Sequence, residues 1–529
     1  MTDPYSQPRF IPNIALRSAS SAELPLFGPR LARLGVQRPD GSPPLEVYTP
    51  ALITATSRGV VPHLSRDHVR TTQAIRWVHV PFESLYALRV CVTPHAWELY
   101  VAACNPDAVV ALSDTPFTPH PHSQKRLTKS IERSAIWLLE TLKAQKKGAI
   151  PGAEDTDIPQ GRHSNVFVHM AGGGSAQART AFSQSMLEPL ETRELEQLKP
   201  LQRLDDGVAG YISDLVPLHQ ALSAKERTAP SIPDESHNAM NTITPRAEDS
   251  SHTSPELQNL LKASLHNLPP HKPRLVNSAR SPHEILRLIR DVGIDLFDGH
   301  WAQRAADIGV ALDFCFPAPA RSAEPRKSGI LGPRRRDDGA NDLGHNLYNA
   351  AYAHDHSRLA SCYLDTFSSQ KNADSAVSPS AGLRICPCAA CSPVAPSAYI
   401  PHSSVDKLSY TDEMGPPESN RYLPPFTRSY IHHLLHTHEM SAHSLLVMHN
   451  LSVMDAFFAG VRSVLESPSG GDTFGEKVDE FVQMYDESMV VFDEATVDWA
   501  EVERARGKGR MAREKIKQAE SSLGRAVDL

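Results

Sequence analysis

Short runs of crowded apolar residues alternate along this chain with stretches whose apolar positions recur every three or four residues, and the alternation predicts repeated βα units. Asn165-Val-Phe-Val-His-Met170 reads as a strand before a helical pattern from Ala176 to Glu191. Val208-Ala-Gly-Tyr-Ile212 and Arg274-Leu-Val276 repeat the arrangement. From Pro282 to Val292 the helix is specified at both ends: Ser281-Pro282 starts it, Ile285, Leu286, Leu288, Ile289 and Val292 line one face, and Gly293 stops it. Ile294-Asp-Leu-Phe297 then predicts a short strand ending on Asp298. Enough such units fit between residues 30 and 320 for an α/β fold of the (β/α)8 TIM barrel type, although an open doubly wound sheet gives the same local pattern. No repeat occurs at the roughly 20 to 50 residue period of solenoids.

The 43 prolines are unevenly placed and set the periodic segments apart from others too poor in apolar residues to offset their ordering entropy. Residues 223–256, 317–345, 366–383 and 402–427 are rich in Ser, Pro, Asp, Asn and charge, and are expected to be mobile, disordered insertions. The layout is then an N-terminal segment over 1–29, a barrel over 30–465 with a metal-binding subdomain at 384–465, and a charged helical tail over 466–529. The tail begins with a thin apolar stripe of Val478, Phe481, Val482 and Met484.

A net charge of −7 creates no global cationic field, so contact with nucleic acid would need a local basic patch. Arg326-Lys327 with Arg334-Arg335-Arg336, and the tail residues Arg504, Arg506, Lys508, Arg510, Arg513, Lys515 and Lys517, are the local runs; each reads either as solvated surface or as backbone contact to RNA. The N-terminus lacks the basic flank and apolar core of a signal peptide, and no stretch is expected to span a bilayer, which predicts a cytoplasmic protein.

Seven cysteines are too few for a disulfide scaffold in a chain of 529 residues. Cys91, Cys104, Cys315 and Cys362 are scattered and read as small apolar side chains, whereas Cys386-Pro-Cys388-Ala-Ala-Cys391 gathers three thiolates in one loop and predicts a metal site. The fourth ligand is a histidine from the helical stretch after Arg428. His449 falls on an apolar face with Leu446, Val453 and Phe457, while His432, His433, His436, His438 and His443 compete with it. Gly172-Gly-Gly-Ser175, between a strand and a helix, fits a tight turn or a phosphate cradle, and without a following Lys-Ser/Thr it is no P-loop. Asp298, at a strand end, fits a nucleophile or an ion-pairing carboxylate.

The cysteine run, with Arg428-Ser-Tyr-Ile-His-His-Leu434, Glu439 and His449-Asn-Leu451, resembles the zinc subdomain of the tRNA-guanine transglycosylases. Ala32-Arg-Leu-Gly35, Thr49-Pro50-Ala51, Gly59-Val-Val-Pro-His63, Leu112-Ser-Asp114, Lys272-Pro-Arg274 and Gly293-Ile-Asp-Leu-Phe-Asp298 follow in family order, so the resemblance covers most of residues 30–465. It implies a (β/α)8 barrel, one structural zinc ion held by Cys386, Cys388, Cys391 and His449, and exchange of guanine for queuine at wobble position 34 of tRNAs with GUN anticodons. Asp298 matches the position of the family nucleophile. The 58 residues from Cys391 to His449 include a long insert that the resemblance does not cover.

The chain departs from the catalytic pattern at several points. No Asp-Ser-Gly-Gly-Phe-Gln run is present; Ser113-Asp114-Thr115 stands for Phe-Asp-Glu, Ala171-Gly172-Gly173 for Gln-Gly-Gly, Ser213-Asp214-Leu215 for Gly-Gly-Leu, and Trp301-Ala-Gln-Arg304 for the Pro-Thr-Arg segment. Loss of an acid/base alone typically costs roughly 10² to 10⁴ in rate. Lys125-Arg126, Lys129-Ser130 and Arg133-Ser134 fit a non-catalytic subgroup of the family. The resemblance thus implies an accessory protein that pairs with a catalytic homologue and helps hold the tRNA anticodon arm; an autonomous transglycosylase using Asp298 is the alternative.

Overall fold

The computed structural model describes residues 14–19, 23–36, 44–81, 92–104, 106–116, 121–147, 165–228, 255–319, 332–361, 386–393, 423–467 and 470–527. They form two compact units. The first comprises Met1–Ile53, Pro81–Trp301 and Val461–Asp479; the second comprises Thr54–Val80, Ala302–Gly460 and Glu480–Leu529.

In the first unit, β1 (Ile14–Ser18), β2 (Ala32–Val36) and β3 (Leu45–Thr49) make an antiparallel sheet in which Ala32 faces both Ser18 and Thr49. Six further strands run parallel: β4 (Ala51–Ala55), β6 (Ala108–Val110), β7 (Asn165–His169), β8 (Val208–Asp214), β9 (Arg274–Asn277) and β10 (Leu296–Asp298). The end of β4, Thr54 and Ala55, belongs to the second unit and pairs with β5 (Val78–His79). The order β5-β4-β10-β9-β8-β7-β6 makes a curled parallel sheet of seven strands, the half-barrel portion of the expected α/β architecture. The expected eight strands therefore number seven among the described residues, and 82–91, between β5 and β6 in the chain, lie outside them.

The sequence explains the burial. Every residue of β4 is buried, as are the first six of β8, and such unbroken apolar runs suit parallel strands covered on both faces. The helix Pro282–Asp291 opens on Ser281, whose Oγ accepts the Glu284 N–H at 3.1 Å, and it buries Ile285, Leu286, Leu288 and Ile289 completely. Its stop, Gly293, has φ +77°, and an added Cβ would lie 2.6 Å from the Gly28 carbonyl oxygen, so conformation and space both require glycine. The strand expected over 294–297 is instead Leu296–Asp298: the Asp295 carboxylate takes the Arg274 N–H at 2.8 Å and the Arg30 guanidinium at 3.2 Å just before it begins. The preceding helical pattern ends at Leu187, ahead of Pro189, and not at Glu191.

In the second unit, β11 (Val310–Leu312) and β12 (Gly344–Asn346) pair antiparallel. Phe314, Phe316, Phe457, Phe481 and Tyr485 pack together, with Phe457 edge-on to Phe314 at 5.7 Å between centroids. Gly460 lets the helix Met440–Glu466 meet the Phe316 carbonyl, since a Cβ there would fall 1.7 Å from that oxygen. Gly460→Ala is expected to cost about 2 to 3 kcal/mol or more, read as a lowered melting temperature of this unit. Contrary to the expectation that no segment could span a bilayer, this helix is long and apolar enough to do so; its most apolar window is 78 % buried, as in a core helix.

The expected insertions fall partly outside the described residues: 229–254, 320–331 and 402–422 do so, as does the whole of 366–383, and so do Cys91 and Cys362. Within the range 317–345, residues from Gly332 onward are folded. Asn341 donates its backbone N–H to Met484 O at 2.8 Å and Asp342 pairs with Arg336, contacts that hold this stretch to the chain near the C-terminus. Leu423 to Thr427 are likewise held, by Leu423 N–H to Pro393 O and Phe426 N–H to Ala390 O, both at 2.9 Å. The tail forms two helices, Gly470–Met484 and Val490–Val527.

Candidate metal centre and strand-end carboxylates

The cysteine loop is shaped by its own backbone. Ser392 N–H reaches Cys388 O and Ser392 Oγ reaches Cys386 O, each at 2.9 Å, and the Cys391 N–H points at Cys388 Sγ at 3.3 Å. These bonds turn all three thiols inward, where no side chain is more than 5 % exposed. His449 arrives from the helix Met440–Glu466, fully buried, with Nδ1 at 3.7, 3.5 and 3.6 Å from the sulfurs of Cys386, Cys388 and Cys391. With metal–sulfur bonds of about 2.3 Å and a metal–nitrogen bond of about 2.0 to 2.1 Å, tetrahedral angles place N and S about 3.6 Å apart. The cluster matches that spacing, and its four donor atoms lie within 4.8 Å of one another. These four residues could hold one metal ion.

The tautomer is set on the other side of the ring. His449 Nε2–H donates to Leu312 O at 2.9 Å, which leaves Nδ1 as the lone-pair donor toward the thiols. Asn450, beside it, accepts the Leu312 N–H at 2.9 Å and donates to Ala302 O at 3.1 Å and Val310 O at 2.9 Å. His449 and Asn450 thus grip β11 together, which gives the His-Asn pair a physical meaning that spacing did not supply. The competing histidines are occupied elsewhere: His432 with Leu347 O, His436 with His432 O, His443 with Ala306 O, and His438 beside Glu503; His433 is not among the clustered donors. Arg428, completely buried, pairs with Asp355 at 3.1 Å behind the Thr427 cap.

Asp298 closes β10. Its Oδ2 accepts the Ser278 N–H at 3.0 Å, and the His300 backbone N–H also faces the buried carboxylate. Burial, with the charge of Asp214 adding to it, pushes the carboxyl up to about 7. Asp214, at the end of β8, caps its helix by accepting the Val216 N–H at 2.9 Å. At the end of β7, burial first and the nearby Arg179 charge second press His169 down to about 4. Arg179 is fully buried: its Nε donates to Gly173 O at 2.8 Å and its Nη1 to Ser264 Oγ at 2.6 Å. A Cβ on Gly172, at φ +114°, would sit 2.6 Å from Arg179 N, so the Gly172–Ser175 run is a tight turn packed on this helix, with Ser175 as its N-cap.

Past β6, Asp114 is 8 % exposed and meets two arginines. Arg126 approaches in a two-pronged fork, Nη1 to Oδ2 at 3.0 Å and Nη2 to Oδ1 at 2.7 Å, and Arg133 reaches Oδ2 at 3.1 Å. Ser130 Oγ binds the Asp114 carbonyl, and Ser134 Oγ accepts its N–H at 3.0 Å. Burial opposes the charge, yet the arginines hold the carboxylate below its usual range. Residues 126, 130, 133 and 134 of the helix Gln124–Lys147 therefore converge on one residue, a relation no linear motif displays.

Other expected features prove structural. Lys272 ties to Asp205 at 2.7 Å, and Arg274 to Leu26 O at 2.6 Å and Val292 O at 3.0 Å. Gln303 hydrogen-bonds both backbone groups of Ala55, at 3.1 and 2.9 Å. In the basic runs, Arg334 and Arg336 pair with Glu494, while Arg326 and Lys327 lie outside the described residues; Arg504 and Arg506 are exposed, and the side chains of Lys508, Arg510, Arg513, Lys515 and Lys517 are not among those described. A cavity of about 850 Å³ opens around Asp205, His271 and Lys272 at the start of β8, and Asp298 does not line it.

The model of the queuine tRNA-ribosyltransferase family matches residues 248–378 and 382–487, which include Asp298 and all four metal-site residues. A Xenopus tropicalis protein named queuine tRNA-ribosyltransferase accessory subunit 2 is 23 % identical over 449 residues, covering 82 % of this chain and 93 % of that protein. The half-barrel sheet, the clustered cysteines with His449, and these matches agree in supporting the queuine tRNA-ribosyltransferase, or tRNA-guanine transglycosylase, family for this chain.

Proposed function

We propose that this chain is the non-catalytic accessory subunit of a heterodimeric queuine tRNA-ribosyltransferase, acting in the cytoplasm to support exchange of guanine for queuine at wobble position 34 of tRNAs with GUN anticodons. The observation that carries the reading is the missing acid/base: the chain has no Asp-Ser-Gly-Gly-Phe-Gln run, although it aligns over most of its length with a protein named as an accessory subunit. Asp298 stays in place as a buried carboxyl at the end of β10, so a nucleophile position persists without the proton-transfer group the reaction needs.

Zinc is the ion proposed for Cys386, Cys388, Cys391 and His449, because three thiolates and an imidazole at tetrahedral spacing suit it. Four protein ligands leave no open position for water, so the ion supplies stability and no chemistry. The exposed Leu423, Tyr430 and Met440, with Tyr430 stacked on Phe426 at 5.7 Å, offer the catalytic partner an apolar surface on this subdomain. The exposed Arg504 and Arg506 suit contact with the tRNA backbone.

Co-expression with a catalytic homologue tests the proposal. A one-to-one complex that incorporates labelled guanine into tRNA is expected, with this chain inactive alone. Exchange by the isolated chain at the rate of the complex would instead establish an autonomous transglycosylase.

A further inference from the structure

We propose that the cavity at the start of β8 is a binding site for a small organic anion, an apolar body carrying one carboxylate or phosphate head group, separate from the strand ends that hold Asp298. Its volume of about 850 Å³ falls within the roughly 300 to 1,000 Å³ of small-molecule sites. All of its lining residues belong to the first unit. β8, β9 and β10 run parallel, so a site at the start of β8 and a carboxyl at the end of β10 stand at opposite ends of the sheet.

The walls are held by the chain's own bonds. Arg30, paired with Asp295 at 3.2 Å, donates Nη2 to Pro270 O at 2.7 Å and so fixes the stretch from Pro269 to Lys272. The Leu190 N–H to Gln202 O bond, at 2.9 Å, draws together the segments that carry Leu187 and Arg203. Leu16, Leu187, Val208, Leu268 and the two prolines supply apolar surface. Polar groups select the ligand, and those with capacity to spare are donors. Asp205 is engaged within the chain, accepting Lys272 through Oδ2 and the Tyr211 hydroxyl through Oδ1, each at 2.7 Å. Asp206 Oδ2 accepts the Gln202 and Arg203 N–H groups at 2.8 and 2.9 Å. The Lys272 ammonium, 12 % exposed, has three N–H bonds and spends two, both on Asp205. Asn267 Nδ2 lines the cavity and is buried with no hydrogen-bond partner among the described residues. The exposed Arg203 adds a cation at the rim. A buried amide donor costs free energy until an acceptor reaches it, and an anionic oxygen is the acceptor that an ammonium and a guanidinium also favour.

The inference does not rest on the proposed role in base exchange, and the full chain alone tests it. Anilinonaphthalene sulfonate, an aromatic anion whose fluorescence rises in apolar surroundings, is titrated into the wild type, Arg203→Glu and Asn267→Asp. Phenylnaphthylamine, the same apolar body without the sulfonate, is titrated into the wild type. Saturation at one dye per chain is expected, with affinity at least about ten-fold weaker in each variant, the size of one lost charge-assisted hydrogen bond. The neutral amine is expected to bind the wild type more weakly by a similar factor. Equal binding of dye and amine would overturn the inference. So would unchanged dye binding by either folded variant, verified by its melting curve: that result would put the dye on apolar surface elsewhere. Should Asn267→Asp fail to fold, Arg203→Glu, at an exposed position, decides alone. Naphthoate and naphthyl phosphate then compete for the bound dye; displacement by one of them identifies the head group, and displacement by neither overturns the inference.

Discussion

Cys388→Ser is expected to abolish stoichiometric zinc and to produce the largest loss of stability of any single substitution in this chain. Cys386, Cys388, Cys391 and His449 are at most 5 % exposed and turned toward one point. Without a cation, burial and the neighbouring thiols drive Cys386 well above the ordinary thiol range, while hydrogen bonds from Cys386 and Cys388 hold Cys391 well below it. The metal-free site thus does not favour three ionised thiolates, and binding of the proposed zinc ion would be coupled to their deprotonation. Isolated zinc modules draw roughly 10 kcal/mol or more from the ion, and here it would join the 386–393 loop to β11 through His449 and Leu312. Elemental analysis should find one zinc per wild-type chain and far less in the variant, and thermal melting should show early loss of the second unit. A Cys388→Ser protein that keeps a full zinc equivalent and the wild-type melting curve would remove the site.

The second large effect concerns pH. An ordinary aspartate titrates near 3.9, whereas Asp298 is pushed up to about 7 by burial, with Asp214 adding to it and the Ser278 N–H opposing. The folded state therefore binds this proton more tightly than the unfolded chain does. Between about pH 4 and 7 the unfolded state has released the proton while the folded state retains it, so Asp298 lowers stability as pH rises and its penalty is complete above 7. The shift corresponds to a penalty of at most about 4 kcal/mol. Asp298→Asn, which has no charge to develop and still accepts from Ser278, should match the wild type near pH 4 and exceed it by up to that amount at pH 8. Urea unfolding at the two pH values reads the difference; parallel curves would show that Asp298 ionises normally. In the proposed heterodimer the same variant should leave base exchange unchanged, and complete loss of exchange would make this chain the enzyme.

Several elements were legible because their signals are local. Ser281-Pro282, the 3-and-4 spacing of Ile285, Leu286, Leu288 and Ile289, and Gly293 specify a helix from within a dozen residues, and the structure places it there within a residue. The three cysteines were legible because a short loop can present three thiols by itself. The strand preceding Asp298 was placed two residues early, since Asp295 is polar and the buried Arg30 that pairs with it lies 265 positions away in sequence. The fold of 332–345 escaped notice for a related reason: its composition is that of a loop, and Arg336 gains its partner Glu494 only in three dimensions.

The sequence by itself determined the βα alternation, the thiol loop and the family pattern around Asp298, because each is written in spacing along one short stretch. His449 was singled out from five rival histidines only by its neighbours Asn450 and Leu451; the tertiary structure supplied the reason, in that one side chain faces the sulfurs while its Nε2 and Asn450 hold β11. The structure alone also decided the state of Asp114. Its basic neighbours in sequence marked a subgroup, but whether Arg126 and Arg133 face solvent or a carboxylate depends on how the helix Gln124–Lys147 lies across the end of β6, and that is fixed by packing between elements and not by the order of residues.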